Sequence, residues 1–317
     1  MPQGRVHSFD DPDRFQATFR AGSYELLDLP KGRFHAELTH VDFSRLQLQR
    51  SDRNGLVSVR STSLKQRVSI MFLADRDQAS PRRNGMEMSA DDVSVHRPSA
   101  TNHLLAPGPS RFSMMSLDSG ALAAAGDTIL GRPIEAPLQT HLIRPAPGKL
   151  ARLRALHEGA CRLARTKPDA FGRSSAVQAL EQDMIVAMVE CLAGQDSDKA
   201  QRTGGSHARV MRRFEEFLAA RRLEPVYLVE ICAAIGVSER TLRTSCQDHL
   251  GMAPIHYLWL RRMNLAHRAL LRADPACATV TDIATEHGFW ELGRFSVEYR
   301  ALFGESPSVS LRRASPP

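Results

Sequence analysis

Residues 230–254 read EICAAIGVSERTLRTSCQDHLGMAP, and residues 282–307 read DIATEHGFWELGRFSVEYRALFGESP. Laid side by side, Ile231 answers Ile283, Cys232 answers Ala284, Gly236 answers Gly288 and Val237 answers Phe289. After one extra residue in the second copy, Leu242 answers Phe295, Cys246 answers Tyr299, Leu250 answers Phe303, Gly251 answers Gly304 and Pro254 answers Pro307. Each copy predicts a short helix of apolar and small residues, a glycine stop, and a second helix whose inward positions recur four apart. Glycine suits 236 and 288 because a left-handed turn residue without a Cβ carries no steric penalty. Ser238 then offers a hydroxyl to cap the next helix. This is the grammar of a helix-turn-helix, whose first helix crosses the DNA backbone and whose second enters the major groove. One copy would fit any helical bundle. A bundle has no reason to repeat both the turn chemistry and the trailing Gly-x-x-Pro.

The region from about Ala208 to Arg313 resembles the AraC/XylS family of transcription regulators. The resemblance is carried by SERTLRTSCQDHLGMAPIHYL (238–258), RRMNLAHRALL (261–271) and GFWELGRFSVEYRALFGESPS (288–308), and covers roughly the last third of the chain. It implies a DNA-binding domain of two helix-turn-helix units joined by a linker helix. For the N-terminal part it implies a cupin-like β-barrel that binds an effector, and for the protein as a whole it implies an activator. Three positions depart from the family: Cys246 stands where phenylalanine is usual, Met263 where leucine is common, and Tyr227 where a capping Ser or Thr is expected at a helix start.

At 317 residues the chain is long enough for two domains with their own cores. Its 42% hydrophobic and 24% charged residues are those of an ordinary globular protein. Charges at Arg5, Asp10, Asp11 and Arg14 precede any useful apolar run, and no stretch approaches the ~18 to 20 apolar residues of a membrane span. A cytoplasmic protein without a signal peptide is expected. Five cysteines, at 161, 191, 232, 246 and 277, stand singly with no C-x-x-C pair. Their odd number and helical placement predict reduced, buried thiols in place of disulfides or a zinc cluster. From His207 onward there are 15 Arg, no Lys and 12 Asp plus Glu, so only part of the overall +7 lies at that end. Basicity alone does not mark it as the DNA-binding end. The choice of arginine matters more, because its planar fork binds phosphate or a guanine edge through two hydrogen bonds.

The fold expected is α+β. Residues 1–148 form the cupin-like effector or sensory domain, with candidate strands at 33–40, 45–50, 68–73, 93–96 and 112–117 between turn signals such as Arg53-Asn54-Gly55 and Arg83-Asn84-Gly85. Strands at this spacing suit an all-β barrel or a sandwich. His35 and Glu37 share one strand face while His40 falls on the other. Neither this trio nor His96 with His103 offers a third nitrogen at a suitable spacing, so they read as surface histidines. No metal, cofactor or catalytic residue is expected, and metal-dependent cupin chemistry has nothing to carry it.

Beyond the Pro145-Ala146-Pro147-Gly148 hinge, residues 149–193 predict a helical hairpin. Leu150, Leu153, Leu156, Ala160 and Leu163 recur on one helix, and Val177, Leu180, Met184, Met188 and Cys191 on the other. It packs on the barrel in one reading and mediates dimerisation in another, which the resemblance favours. Residues 194–206 are polar and read as a linker. An all-α domain of 207–317 follows, opening on an amphipathic helix with Val210, Phe214, Phe217 and Leu218 inward.

Between the two units, residues 254–271 predict a connector helix with Ile255, Trp259, Met263, Ala266 and Leu270 on one face. At about 1.5 Å per residue it is roughly 25 Å long. Such a span suits two recognition helices near the ~34 Å duplex repeat, one in each of two successive major grooves. With Leu242 and Cys246 inward, Ser238, Glu239, Arg240, Arg243, Thr244 and Gln247 face DNA or solvent. In the second unit Thr279 and Asp282 form a capping-box-like start. Trp290, Glu291, Leu292, Gly293 and Arg294 hold the turn and the first groove-facing turn, and Val297, Glu298 and Arg300 lie outward. Arginines suit guanine or phosphate, Gln247 suits adenine, and Glu239 suits cytosine. Any of these side chains can equally be solvated or hold a phosphate, which positions without specifying sequence. Arg261, Arg262, Arg268 and Arg272 on the connector read as contacts to phosphates or intramolecular carboxylates.

The expected partners are double-stranded DNA, an unidentified small-molecule effector, a second copy of the chain and, for an activator, RNA polymerase. No membrane partner is expected. Two alternatives stay open: a DNA binder without sequence preference, and an enzyme tethered to DNA by its helical end. A repair enzyme of that kind needs a reactive, metal-binding cysteine cluster, yet residues 1–150 contain no cysteine.

Overall fold

The computed structural model describes residues 2–20, 22–28, 34–55, 57–171, 175–193, 202–203, 205–221 and 226–313. The chain divides into two compact units, the first drawn from residues 1–205 and the second comprising 206–317 with the short segment 27–29. Among the described residues, no helix is long and apolar enough to cross a membrane.

The strands are β1 (Gln3–Phe9), β2 (Gly22–Asp28), β3 (Ala36–Asp42), β4 (Gln47–Arg53), β5 (Val57–Ser63), β6 (Arg67–Leu73), β7 (Arg82–Arg83), β8 (Met86–Glu87), β9 (Val93–His96), β10 (Thr101–Ala106), β11 (Ser110–Asp118), β12 (His141–Ile143) and β13 (Arg202–Thr203). They form an eight-stranded sheet in the order β1-β3-β4-β11-β6-β9-β12-β13 and a five-stranded sheet in the order β2-β5-β10-β7-β8. Among the described residues no ladder joins the two, so the expected closed barrel is an arrangement of two sheets. Short alternating segments look alike in both architectures; closure depends on edge pairing, which local patterning does not encode. The expected strands near residues 33, 45, 68, 93 and 112 correspond to β3, β4, β6, β9 and β11, with shifted ends. β1, β2 and β5 escaped notice because charged residues break their alternation, and β10 because it opens on the polar Thr101, Asn102 and His103. The expected linker lies partly outside the described residues, and within it Arg202 and Thr203 pair with Leu142 and His141.

Period-two alternation divides the large sheet. Leu48, Val68, Ile70, Phe72, Val93, Val95, Met115 and Leu117 pack against helices α2 (Ser119–Leu130), α3 (Pro147–Thr166) and α4 (Ser175–Leu192) in one core. The alternate positions Gln49, Ser51, Arg53, Met71, His96, Phe112 and Met114 face a cavity lined also by the small sheet. A sheet covered on both faces buries polar strand residues as well. For that reason the histidines expected at the surface divide: His35 is exposed beside Asp10, whereas His40, His96 and His103 are buried.

The expected hairpin corresponds to α3 and α4, but its stripes are wider than predicted. His157, Cys161 and Ala164 of α3 are buried while Leu156 and Leu163 are only partly so, and α4 also buries Glu181 and Ile185. Glu181 is accommodated because its carboxylate accepts from the amides of Arg45 (2.7 Å) and Leu46 (3.0 Å) and the Ser44 hydroxyl (2.6 Å). Helix α2 was not foreseen; Asp118 caps it by accepting from the amides of Gly120 and Ala121. Helix α1 (Pro12–Thr18) is likewise capped by Asp11.

The second unit holds α5 (Ser206–Ala220), α6 (Leu228–Ile235), α7 (Glu239–Leu250), α8 (Pro254–Arg272), α9 (Val280–Glu286), α10 (Leu292–Phe303) and α11 (Pro307–Arg313). Two cores share α8. Its Tyr257 packs with Phe214, Leu218, Ile231, Leu242, Cys246 and Leu250, whereas its Met263, Ala266 and Leu270 pack with Ile283, Ala284, Phe289, Phe295 and Tyr299. The predicted single stripe fails at Ile255, which is 60% exposed, because the two ends of α8 turn different faces to different cores.

Of the cysteines, Cys161, Cys191 and Cys246 are buried, and burial pushes each thiol up to about 12. Cys277 departs from expectation: it lies exposed in the turn between α8 and α9.

Candidate nucleic-acid interface

The repeat seen in the sequence is a repeat in space. α7 starts three residues before Leu242 and α10 three residues before Phe295, each is 12 residues long, and each ends on a left-handed glycine, Gly251 or Gly304. The turns before them pass through Gly236 at φ 68° and Gly288 at φ 77°. At the first turn the Ser238 hydroxyl accepts from the Thr241 amide at 3.1 Å, the expected cap. Tyr227 begins α6 with no side-chain cap, so this helix is held by packing of Ile231 and Ile235. In the second pair Thr279 Oγ1 accepts from the Asp282 amide at 3.1 Å and donates to Asp282 Oδ2 at 2.6 Å.

Burial of Leu242, Cys246 and Leu250 on α7, and of Phe295 and Tyr299 on α10, fixes which faces turn outward. Ser245 and His249 are buried too, because they flank the same stripe. Tyr299 keeps its hydroxyl partnered inside, donating to Ser310 Oγ at 2.7 Å. On the open face of α7, Ser238, Glu239, Arg240, Arg243, Thr244 and Gln247 are all exposed. At α10, Trp290 (78% exposed), Glu291, Gly293, Arg294, Val297 and Arg300 are exposed, whereas Leu292 and Glu298 are half-buried. The outward placement expected for Glu298 is corrected by its partners. Its carboxylate accepts from Arg294 Nε at 2.8 Å and from Trp259 Nε1, on α8, at 3.0 Å.

Each exposed helix face therefore carries an arginine tied one turn away to a glutamate: Arg243 Nη2 donates to Glu239 Oε1 at 2.7 Å, and Arg294 to Glu298. The Arg294 hydrogen bond, ahead of the other causes, holds Glu298 below the usual carboxylate range. Surface pairs of this kind are weak, so a guanidinium can exchange its glutamate for a phosphate or a base edge. Thr244 donates back to the Arg240 carbonyl at 3.0 Å, which leaves its hydroxyl oxygen outward as an acceptor.

Three of the four connector arginines have internal roles. Arg261 donates to the Leu218 carbonyl (2.7 Å), Arg268 to the Asn264 carbonyl (3.2 Å), and Arg262 lies over the Phe289 ring at 5.3 Å. Burial lowers the Arg262 pKa. The Trp259–Glu298 contact joins residues 39 apart, beyond the reach of local spacing, and an indole donor beside the repeat was its one usable signal.

Residues 231–313 match the model of a helix-turn-helix domain. The chain is 41% identical over 103 residues to a Rhodococcus erythropolis protein named "Probable thc operon regulatory protein", covering 32% of this chain and 31% of that one. It is 29% identical over 99 residues to the XylDLEGF operon transcriptional activator 2 of Pseudomonas putida, covering 31% of this chain and 63% of that protein. A crystal structure of a probable AraC family transcriptional regulator from Rhodopseudomonas palustris shares 35% identity, covers 34% of this chain and 98% of that chain, and gives a TM-score of 0.30. The chain thus spans less than two thirds of the length of these curated relatives.

Proposed function

We propose, for a chain that belongs to the AraC/XylS family of regulators through its C-terminal third, that it is a sequence-specific DNA-binding transcription regulator, an activator responsive to a small molecule. The supporting observation is the doubled helix pair with apolar residues inward and Arg240, Arg243, Gln247, Trp290 and Arg294 outward. α6–α7 and α9–α10 act as two helix-turn-helix units. α8, of 19 residues and so about 28 Å long, spaces them for successive major grooves. Residues 207–317 are the DNA-binding domain, 1–148 the sensory domain, 149–193 a helical hairpin and 194–206 a linker.

The DNA-facing set is Ser238, Glu239, Arg240, Arg243, Thr244 and Gln247 in one groove, with Trp290, Glu291, Leu292, Gly293, Arg294, Val297 and Arg300 in the next, and Glu298, expected among them, aims Arg294. A response to an effector requires that the ligand favour one arrangement of the chain over another. RNA polymerase and a second copy of the chain are the remaining partners. The apolar stripes of α3 and α4 are buried in their own core, so a dimer uses other residues, and gel filtration at micromolar concentration reads its presence.

Selection of DNA from a random pool by the full chain tests the central reading. Two enriched half-sites about 10 to 10.5 base pairs apart are expected. Recovery of DNA without an enriched motif would instead indicate a binder without sequence preference.

A further inference from the structure

The cavity between the two sheets of the first unit carries two positive charges, and its described lining contains no Asp or Glu. Arg53, at the end of β4, is 5% exposed and Arg83, on β7, is 3% exposed. Arg53 donates from Nη1 to the Tyr24 hydroxyl and lies 5.4 Å from the Phe112 ring centre. Arg83 Nη2 donates to His96 Nε2 at 3.1 Å. Among the described residues the Nε atoms of both arginines have no hydrogen-bond partner, and neither do Gln49 Nε2 and Ser51 Oγ in the same wall.

The two partners bring no compensating charge. His96 is held well below its usual range, first by burial and then by the Arg83 charge, and is neutral. Burial raises the Tyr24 phenol although the charges of Arg53 and Arg83 both pull it down, so Tyr24 stays a neutral hydroxyl. Burial brings Arg83 down to about 9, so it keeps its charge at neutral pH. Buried charge without a counter-charge opposes folding, and an anion entering the cavity relieves that penalty.

We infer that this cavity binds a small organic carboxylate, its oxygens taken by Arg53 and Arg83 and its apolar body by Phe112, Met71 and Leu104. A guanidinium fork matches a carboxylate through two parallel N–H groups. The enclosed space is about 30 Å³, room for the carboxylate group, so the ring or short chain of the ligand must displace lining side chains toward the mouth. The inference rests on the reading of residues 1–148 as a sensory domain and names the class of molecule sensed. Alternation along β4 and β11 builds the site, since Gln49, Ser51 and Arg53, like Phe112, point away from the helices.

The test uses the full chain, calorimetry and thermal unfolding with three probes: phenylacetate, its neutral amide phenylacetamide, and sulfate. Phenylacetate is expected to bind and raise Tm, with the amide and sulfate at least tenfold weaker. Arg83→Met and Arg53→Met are expected to lose binding tenfold or more without a fall in Tm. Should either fail to fold, the matching lysine variant keeps the charge and loses the fork; weaker binding supports the site and unchanged binding overturns it. The inference also falls if the amide or sulfate equals the acid, if either methionine variant binds like the wild type, or if no acid in a panel of straight-chain and single-ring carboxylates shifts Tm. Specific DNA binding without carboxylate binding overturns this site alone. Carboxylate binding without specific DNA binding overturns the regulator and leaves the site.

Discussion

Arg294 Nε donates to Glu298 Oε1 at 2.8 Å across one turn of α10, and the same carboxylate accepts from Trp259 of α8 at 3.0 Å. An exposed arginine of the second helix pair is thus aimed by a residue that also docks its helix on the connector. Arg294→Ala is expected to weaken binding to the selected site roughly tenfold to a hundredfold, with much less effect on random DNA. Titration of both DNAs checks it. An equal loss on the two would make Arg294 a backbone contact.

Glu298→Gln separates the docking role from the reading role. Because Glu298 is held below the usual carboxylate range in the folded chain, the stabilisation it contributes is complete above its ordinary value. That contribution is lost as pH falls through the depressed folded value. Urea unfolding should therefore show wild type more stable than the glutamine variant at pH 7, with the gap closing as the pH falls through the depressed folded value. A gap independent of pH would assign the effect to packing.

Gly236→Ala isolates the turn. The backbone there sits at φ 68°, and a Cβ would meet nothing within 4 Å, so any loss comes from the backbone conformation alone. A destabilisation of about 1 to 2 kcal/mol is expected in urea unfolding. A neutral or stabilising result would contradict the left-handed turn between α6 and α7.

His157 contributes to the acid sensitivity of the first unit, in the same direction as His40, His96 and His141, whose pKa values burial also lowers. It is buried against Phe72 with ring centres 5.5 Å apart, and burial lowers its pKa from 6.5 to about 4. Between those values the unfolded chain takes up a proton that the folded chain refuses, so stability falls as pH falls through that window. One such group accounts for at most about 3 kcal/mol. His157→Phe should flatten the decline by a comparable amount. An unchanged pH profile would place the sensitivity elsewhere, with His40, lowered to about 4 by burial, the next group to vary.

The helix pairs near the carboxyl end were legible because their determinants are local. Four-residue spacing of Leu242, Cys246 and Leu250, glycine at a turn that demands positive φ, and a serine cap each act within one or two turns of chain, and duplication made them stand out. What tertiary structure alone decided is of a different kind. Whether strands close into a barrel depends on edge pairing between distant segments. Which side chains of β4 enter a cavity depends on helices α2 to α4 covering the opposite face. Arg53 and Arg83 look like surface arginines in sequence because their burial is imposed by partners 29 and 13 residues away, Tyr24 and His96. Period and propensity fix a residue's face within its own element. Only the packing of elements against one another determines whether that face meets water, a core or an enclosed charge.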